Sequence, residues 1–214
     1  LQKSLCKKYR SEYGKVNLSP WSIESEQLES NFVDISKLYV KQTFWTSEKK
    51  TSSILDLFNW DPEKVGGSRK VLIGEQGTGK TMAMRQMTQE WCEKLQSYGN
   101  KDWQLPKFLI AIEAKDSKNF ATFSGMVKTY FDLDWITENG LEALLKENSL
   151  RSFLFLDGWD EYSKLSGSSP ELERIISKEA MGYKTMKLML SSRQWKAVDF
   201  TSFGKVFLGK FQDQ

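Results

Sequence analysis

Short apolar runs and amphipathic segments alternate along the chain from residue 70 onward. The apolar runs have the length of buried strands, and the segments between them repeat their apolar residues at the spacing of a helix. Strands are predicted at 70–73, 107–112, 152–156, 187–190 and 205–208, and helices at 81–95, 119–131, 141–146 and 171–178. Apolar strands that alternate with helices are typical of an α/β fold with a buried parallel sheet.

The helix predicted at 81–95 carries a single apolar stripe. Met84, Met87, Trp91 and Leu95 fall at helical spacing on one face. We interpret this stripe as core rather than as a groove for a partner, because most amphipathic faces of this kind are buried within their own domain.

The first third of the chain has a different pattern. Residues 1–45 are rich in charged and aromatic residues, and residues 46–53 are polar and predict a loop or linker. A turn is predicted within 61–70, which contains Pro62 and two adjacent glycines. The basic residues near the start indicate a solvated helix face opposite Leu1, Leu5 and Tyr9; an arm that binds nucleic acid or lipid is the alternative.

Composition narrows the classes of protein to which this chain can belong. Of its 214 residues 39% are hydrophobic, which suffices for a core and excludes a fully disordered chain. The 31 basic and 28 acidic side chains give a net charge of +3, too balanced to indicate nucleic acid or an anionic membrane as a partner. There is no His, which excludes imidazole zinc sites and His-based triads within these residues.

Cysteine content and hydropathy favour a cytoplasmic setting. Cys6 and Cys92 are too few for a disulfide framework or a four-thiolate metal site, so a reducing compartment is favoured. No apolar run approaches the roughly 20 residues that a membrane helix requires, and the start has no apolar secretory segment. Because the chain begins with Leu1 rather than Met, we expect it to be a piece of a longer protein.

The most specific motif follows the first predicted strand. Residues 74–81, GEQGTGKT, fit the phosphate-binding pattern G-x-x-x-x-G-K-[ST]. Gly77 and Gly79 permit the backbone angles with which N–H groups surround a polyphosphate, and the helix that begins near Lys80 directs its N-terminal amides at the same anion. Lys80 supplies a cation to the β- and γ-phosphates, and the Thr81 hydroxyl is a hard oxygen ligand for Mg²⁺.

A second motif follows the strand predicted at 152–156. Four apolar residues lead into Asp157-Gly158-Trp159-Asp160-Glu161, so Asp157 stands where ligands of open α/β sheets bind and is predicted to hold Mg²⁺. Asp160 and Glu161 are the predicted catalytic carboxylates, with Glu161 preferred for orienting or deprotonating water, and Lys80 completes the predicted catalytic set. We interpret Trp159 as a packing residue rather than a nucleotide stack.

The third motif, LMLSSR at 188–193, is the end of a predicted strand, followed by the hydroxyls of Ser191 and Ser192 and the cation of Arg193. If this strand lies beside the strand at 70–73, Arg193 faces the phosphates and can sense or neutralise the γ-phosphate. The predicted nucleotide-binding residues are Gly74, Glu75, Gln76, Gly77, Thr78, Gly79, Lys80, Thr81, Met82 and Arg193.

Together these motifs resemble the NACHT family of P-loop NTPases, in the STAND branch. GEQGTGKT is close to the family's phosphate loop, FLFLDGWDE to its extended acidic motif, and LMLSSRQ to its sensor strand. The stretch that contains Tyr9, Pro20-Trp21, Leu28 and Phe32-Val33 is similar to the segment that precedes the nucleotide loop in animal NOD-like receptors. The resemblance implies a three-layer α/β/α sandwich with a mainly parallel five-stranded sheet of the ASCE type, plus an N-terminal helical segment.

The resemblance also implies a function. A NACHT module with ATP or ADP and Mg²⁺ as ligands would act as a nucleotide-controlled switch for oligomerisation of an innate immune receptor, with weak ATP hydrolysis. Partners would be the nucleotide, further copies of the full-length parent, and adaptor or effector proteins bound by domains outside this chain. Residues 1–69 would form the N-terminal helical segment and linker, 70–214 the nucleotide-binding domain, and the segment near 32–35 would help to contact adenine.

Two alternatives remain open at this point. One is a continuously cycling ATPase of a related P-loop branch, which measured turnover would distinguish from a switch. The other is a scaffold that binds nucleotide for stability alone and does not hydrolyse it. A GTPase is disfavoured because the chain contains no [NT]-K-x-D guanine motif, and a small-molecule kinase because no Arg-rich lid follows the acidic strand.

Overall fold

A seven-stranded sheet forms the centre of the computed structural model, which describes residues 1–17, 32–34, 42–58, 68–98, 105–117, 119–162 and 169–208. A separate antiparallel pair joins the two short strands nearest the start. In chain order the strands are β1 (Lys15–Asn17), β2 (Phe32–Asp34), β3 (Phe44–Trp45), β4 (Lys50–Thr51), β5 (Arg69–Ile73), β6 (Phe108–Glu113), β7 (Ser152–Asp157), β8 (Lys187–Ser192) and β9 (Gly204–Leu208).

Seven α-helices are found among the described residues, together with four short 3₁₀ turns. The helices are α1 (Gln2–Glu12), α2 (Lys80–Tyr98), α3 (Phe123–Tyr130), α4 (Glu138–Glu147), α5 (Trp159–Tyr162), α6 (Pro170–Ile176) and α7 (Gln194–Ala197). The 3₁₀ turns are Leu55–Leu57, Ala114–Ser117, Ser149–Arg151 and Met181–Tyr183. None of the described helices is long and apolar enough to cross a bilayer.

The strand order of the main sheet is β4-β3-β9-β5-β8-β7-β6. The five strands from β9 to β6 are parallel, and β8 is inserted between β5 and β7. This order places the ends of the phosphate-loop strand and of the sensor strand side by side. The predicted P-loop NTPase fold with a mainly parallel sheet is confirmed.

Helices cover both faces of the parallel part of the sheet. Side chains alternate along each strand, and the pairing register places Arg69 on the face opposite to Asp157. The Arg69 guanidinium donates hydrogen bonds to the carbonyls of Ile175 and Ile176 at the end of α6. Asp157 accepts a hydrogen bond from Thr81 in α2. Therefore α6 and α2 lie on opposite faces, as the predicted α/β/α sandwich requires.

Two strands beyond the predicted five extend the sheet. The stretch 46–53 was predicted to be a loop, and this is wrong at Lys50–Thr51, which pairs as β4 with β3. Phe44 of β3 is buried and pairs with Leu208 of β9. A two-residue strand has one inward-facing side chain and therefore no periodicity that a sequence pattern can reveal. Residues 61–67 of the predicted turn at 61–70 lie outside the described residues, and residues 69 and 70 begin β5.

The stripe predicted on the second helix is buried in the core. Met84, Met87 and Trp91 of α2 are at most 1% exposed, and Leu95 packs against the same core while partly exposed. The indole N–H of Trp91 donates a hydrogen bond to the carbonyl of Pro106 at 2.9 Å, so burial of the ring leaves no polar atom unpaired. The interpretation of this stripe as core is confirmed.

The N-terminal helix covers the open edge of the sheet at β6. Leu5 and Tyr9 are buried, while Lys3 and Lys7 are exposed, which confirms the interpretation of a solvated basic face. The Tyr9 hydroxyl donates to the carbonyl of Leu109 and accepts from the backbone N–H of Ala111, both at 2.8 Å. Gln2 and Tyr13 bond two further carbonyls of the same edge, those of Lys107 and Ala111. Side chains of α1 thus take the place of a neighbouring strand.

Tyr9→Phe should lower the free energy of unfolding by about 2 kcal/mol, because the N–H of Ala111 and the carbonyl of Leu109 lose their partner while they remain buried. For a chain of this size that corresponds to roughly 4–8 °C in Tm. Tyr183→Phe is the matched control: Tyr183 is equally buried, and its hydroxyl has no hydrogen-bond partner among the described residues. Thermal melting of both variants checks the prediction, and equal shifts would contradict it.

Candidate functional site

The phosphate-loop motif lies between β5 and α2, at the carboxyl end of the parallel sheet. The backbone N–H of Gly74 donates to the carbonyl of Ser192 at 3.3 Å, which ties the start of the loop to the end of β8. Gly77 and Gly79 have φ angles of +79° and +92°, a left-handed region that side chains rarely adopt. These two positions have the backbone conformation for which the motif requires glycine.

Gln42, which the sequence patterns did not identify, forms hydrogen bonds to the phosphate loop. Gln42 is buried, and its side-chain amide donates to the carbonyls of Thr78 and Gly79, both at 3.3 Å. A Cβ at Gly79 would collide with that amide nitrogen. Gly79 is therefore required both for its φ angle and for the close approach of Gln42.

Lys80 begins α2 and folds back over the loop. Its ammonium donates to the carbonyls of Gly74 at 2.7 Å and Glu75 at 2.9 Å. Burial lowers the pKa of Lys80, and the nearby carboxylates of Asp160 and Asp157 oppose that shift. The cation is thus held at the mouth of the loop, beside acidic groups that follow β7.

Thr81 and Asp157 meet across the edge of the sheet. The Thr81 hydroxyl donates to Asp157 Oδ2 at 2.5 Å, and the other carboxylate oxygen accepts a hydrogen bond from Ser191. Asp157 is 6% exposed, and this burial raises its pKa; the hydrogen bonds from Ser191 and Thr81 act in the opposite direction. A hydroxyl and a carboxylate oxygen side by side form the hard oxygen pair that suits Mg²⁺, so the two predicted metal ligands fit that ion.

Asp160 and Arg193 form an ion pair that joins the acidic motif to the end of β8. Arg193 Nε lies 3.0 Å from Asp160 Oδ2, and the backbone N–H of Arg193 donates to Asp160 Oδ1 at 3.3 Å. Arg193 also lies 3.5 Å from a carboxylate oxygen of Glu161. The side chain of Asp160 is 3% exposed and that of Glu161 is 59% exposed. Glu161 is therefore the carboxylate that is more accessible to a water molecule.

These groups line one cavity of about 370 Å³. Of the residues predicted from the sequence to form the site, the lining includes Gln76, Gly77, Gly79, Lys80, Thr81, Met82, Asp157, Asp160, Glu161 and Arg193. The lining does not include Gly74, Glu75 or Thr78, although they belong to the same loop. The structure therefore brings the phosphate loop, the acidic motif and the sensor-strand Arg together; their roles stay predictions.

Two further charged side chains, which no sequence motif indicated, line this cavity. Glu113 is the last residue of β6 and pairs in register with Asp157, and Lys115 follows in the next turn. Their charged groups form an ion pair with a separation of 2.7 Å. Like Asp157, Glu113 is an acidic residue at the carboxyl end of a parallel strand, where ligands of open α/β sheets bind. That position is the signal from which Glu113 could have been predicted.

Trp159 packs within the domain. It is 7% exposed and stacks on Tyr162 with ring centroids 4.3 Å apart, in agreement with the packing interpretation. The segment predicted to contact adenine forms β2 at 32–34, which pairs with β1, and Ile35 lies outside the described residues. Its contact with adenine stays a prediction.

Comparisons with known proteins identify no family for this chain. No protein-family model matches it, and no curated protein matches it either. Among solved structures it is similar to the crystal structure of Cdc6p from Pyrobaculum aerophilum, with 16% sequence identity and a TM-score of 0.39 over 87% of this chain. The chain spans 45% of the length of that protein. The fold assignment therefore rests on the strand order and the loop geometry.

Proposed function

We propose that this chain is the nucleotide-binding NACHT module of a NOD-like innate immune receptor, in which ATP or ADP controls oligomerisation. One observation carries the proposal: the loop 74–81, Asp157 and Arg193 meet in a single cavity at the carboxyl edge of the sheet. Within P-loop proteins, the D-G-x-D-E pattern at 157–161 resembles the acidic motif of the NACHT family and favours that type. Cytoplasmic location and self-association of the parent receptor, with adaptors recruited elsewhere, are parts of the same proposal.

Phosphate binding would use main-chain and side-chain donors of the loop. The left-handed residues Gly77 and Gly79 shape the segment whose amides precede α2, and the positive end of this 19-residue helix adds to the attraction for an anion. Lys80 already lies at the mouth of the loop and would bind the β- and γ-phosphates. Thr81 and Asp157 would hold Mg²⁺, which supplies charge neutralisation for the phosphates when bound.

The acidic motif would provide the residue for hydrolysis, and Arg193 after β8 would provide the one for sensing. Glu161 lines the cavity with an exposed carboxylate and would orient water toward the terminal phosphate. Arg193 is paired with Asp160 and Glu161, and a γ-phosphate would compete with these carboxylates for the guanidinium. ATP and ADP would therefore make different contacts with the same cation, which is the differential binding that a switch requires.

The nucleotide released when the purified chain is denatured tests the proposal. We expect close to one ADP for each chain, and ATP turnover well below about 1 s⁻¹, since a switch needs infrequent conversion. Steady turnover at the rate of an ordinary enzyme would favour the cycling ATPase, and bound nucleotide without any turnover would favour the scaffold. A chain that carries no nucleotide and takes up neither ATP nor ADP would overturn the proposal.

A further inference from the structure

The side chain of Ser191 lies behind the acidic motif, at the second-last position of β8. It is fully buried. Its hydroxyl donates a hydrogen bond to Asp157 Oδ1 and accepts one from the backbone N–H of Gly158 at 2.8 Å. Both hydrogen bonds of this hydroxyl thus go to residues 157 and 158, the segment that carries the candidate Mg²⁺-binding carboxylate.

The two oxygens of Asp157 have partners on different elements. Oδ1 is bonded by Ser191 from β8, and Oδ2 is bonded by Thr81 from α2 at 2.5 Å. Thr81 is itself a candidate ligand, so its contact with Asp157 is the one that an ion would replace. The contact with Ser191 lies on the opposite oxygen and would remain when the ion is bound.

The backbone after Asp157 turns sharply, and Ser191 fixes that turn as well. Gly158 has a φ angle of +73°, and its N–H has the Ser191 hydroxyl as acceptor. Because this turn directs the chain into α5, it also sets where Asp160 and Glu161 stand. Ser191 therefore constrains both the carboxylate orientation and the course of the acidic motif.

We propose that Ser191 is a positioning residue that sets the affinity of the site for Mg²⁺–nucleotide without touching either ligand. This inference rests on the proposed function. Groups that hold a metal ligand in place typically contribute tenfold to hundredfold to metal affinity. Removing the Ser191 hydroxyl lets the Asp157 carboxylate rotate and leaves the N–H of Gly158 unpaired, so the metal-dependent part of binding weakens.

Titration of the full 214-residue chain with the fluorescent analogue mant-ATP, with Mg²⁺ varied or removed by EDTA, tests this. For Ser191→Ala we expect the Mg²⁺ concentration at half-maximal binding to rise roughly tenfold or more, with unchanged affinity in EDTA. Ser152→Ala is the matched control, since Ser152 is equally buried but lies at the far end of β7, where its hydroxyl donates to the carbonyl of Asn148. It should leave the Mg²⁺ dependence unchanged.

A second pair of variants separates positioning from folding. Ser191→Thr keeps the hydroxyl, and Ser191→Val has the shape of Thr without it. We therefore expect Thr to keep the wild-type Mg²⁺ concentration at half-maximal binding and Val to raise it, as Ala does. Equal weakening with and without Mg²⁺, or equal behaviour of Thr and Val, would overturn the assignment of Ser191. Failure of the wild-type chain to bind mant-ATP in Mg²⁺ would overturn the proposed function and this inference together. A wild-type chain that binds normally beside an unaffected Ser191→Ala chain would overturn the inference alone.

Discussion

Lys80→Ala should abolish the retention of nucleotide by the purified chain. The ammonium is fixed over the loop by the carbonyls of Gly74 and Glu75, so it is in place before any phosphate arrives. A unit charge about 4 Å from a phosphate charge contributes about 4 kcal/mol in a partly buried site, which is nearly a thousandfold in affinity. Nucleotide content after purification and the Kd for mant-ADP measure the effect.

The control removes the same charge elsewhere on the same helix. Lys94 lies on α2 about 21 Å from Lys80 at 1.5 Å per residue, and it is paired with Glu90 at 2.7 Å. Lys94→Ala should retain nucleotide as the wild-type chain does, since partly exposed ion pairs contribute little to stability. If Lys80→Ala melts near the wild-type temperature and still carries a full complement of nucleotide, the assignment of the loop is wrong.

Much of the fold could be predicted because apolar strands and amphipathic helices are local patterns. All five predicted strands form the parallel part of the sheet, with ends displaced by one or two residues. Helix ends were less accurate because they depend on specific contacts. The helix predicted from residue 119 begins at Phe123, since the Thr122 hydroxyl accepts from Gly125 N at 3.1 Å and caps it there. The helix predicted to reach 178 ends at Ile176, whose carbonyl is bonded by Arg69.

The candidate site divides into residues that a motif reveals and residues that the topology supplies. Lys80, Thr81 and Asp157 belong to short motifs whose spacing reflects the chemistry of phosphate and Mg²⁺. Gln42 and Ser191 act through contacts that join residues more than 30 positions apart, Gln42 to Thr78 and Ser191 to Asp157. The motif at 188–193 includes Ser191, and no motif includes Gln42. In neither case does the local sequence give the bonding partner, because that depends on which strands become neighbours.

Glu161→Gln should slow ATP hydrolysis by roughly a hundredfold or more, since a positioned general base contributes about 10²–10⁴-fold. The Glu161 carboxylate lines the cavity and is 59% exposed, so it can reach water, and its amide counterpart keeps the shape but cannot accept a proton. The affinity for mant-ATP should change by less than about threefold, because the effect belongs to the transition state. Single-turnover hydrolysis and mant-ATP titration separate these two quantities.

Asp160→Asn, compared with Glu161→Gln, tests which of these two neighbouring carboxylates acts in hydrolysis and which one holds Arg193. Asp160 binds Arg193 through both the guanidinium and the backbone N–H, and an amide preserves the second contact while removing the charge that faces the first. We therefore expect this variant to raise the affinity for ATP relative to ADP, since Arg193 loses its closer charged partner and keeps only the 3.5 Å contact with Glu161. The Glu161→Gln variant should change that ratio less, because the contact of Glu161 with Arg193 is longer, at 3.5 Å, and the Glu161 side chain is 59% exposed. If Asp160→Asn instead stops turnover with the ratio unaltered while Glu161→Gln remains active, the hydrolytic role belongs to Asp160, and Arg193 then serves to hold the base.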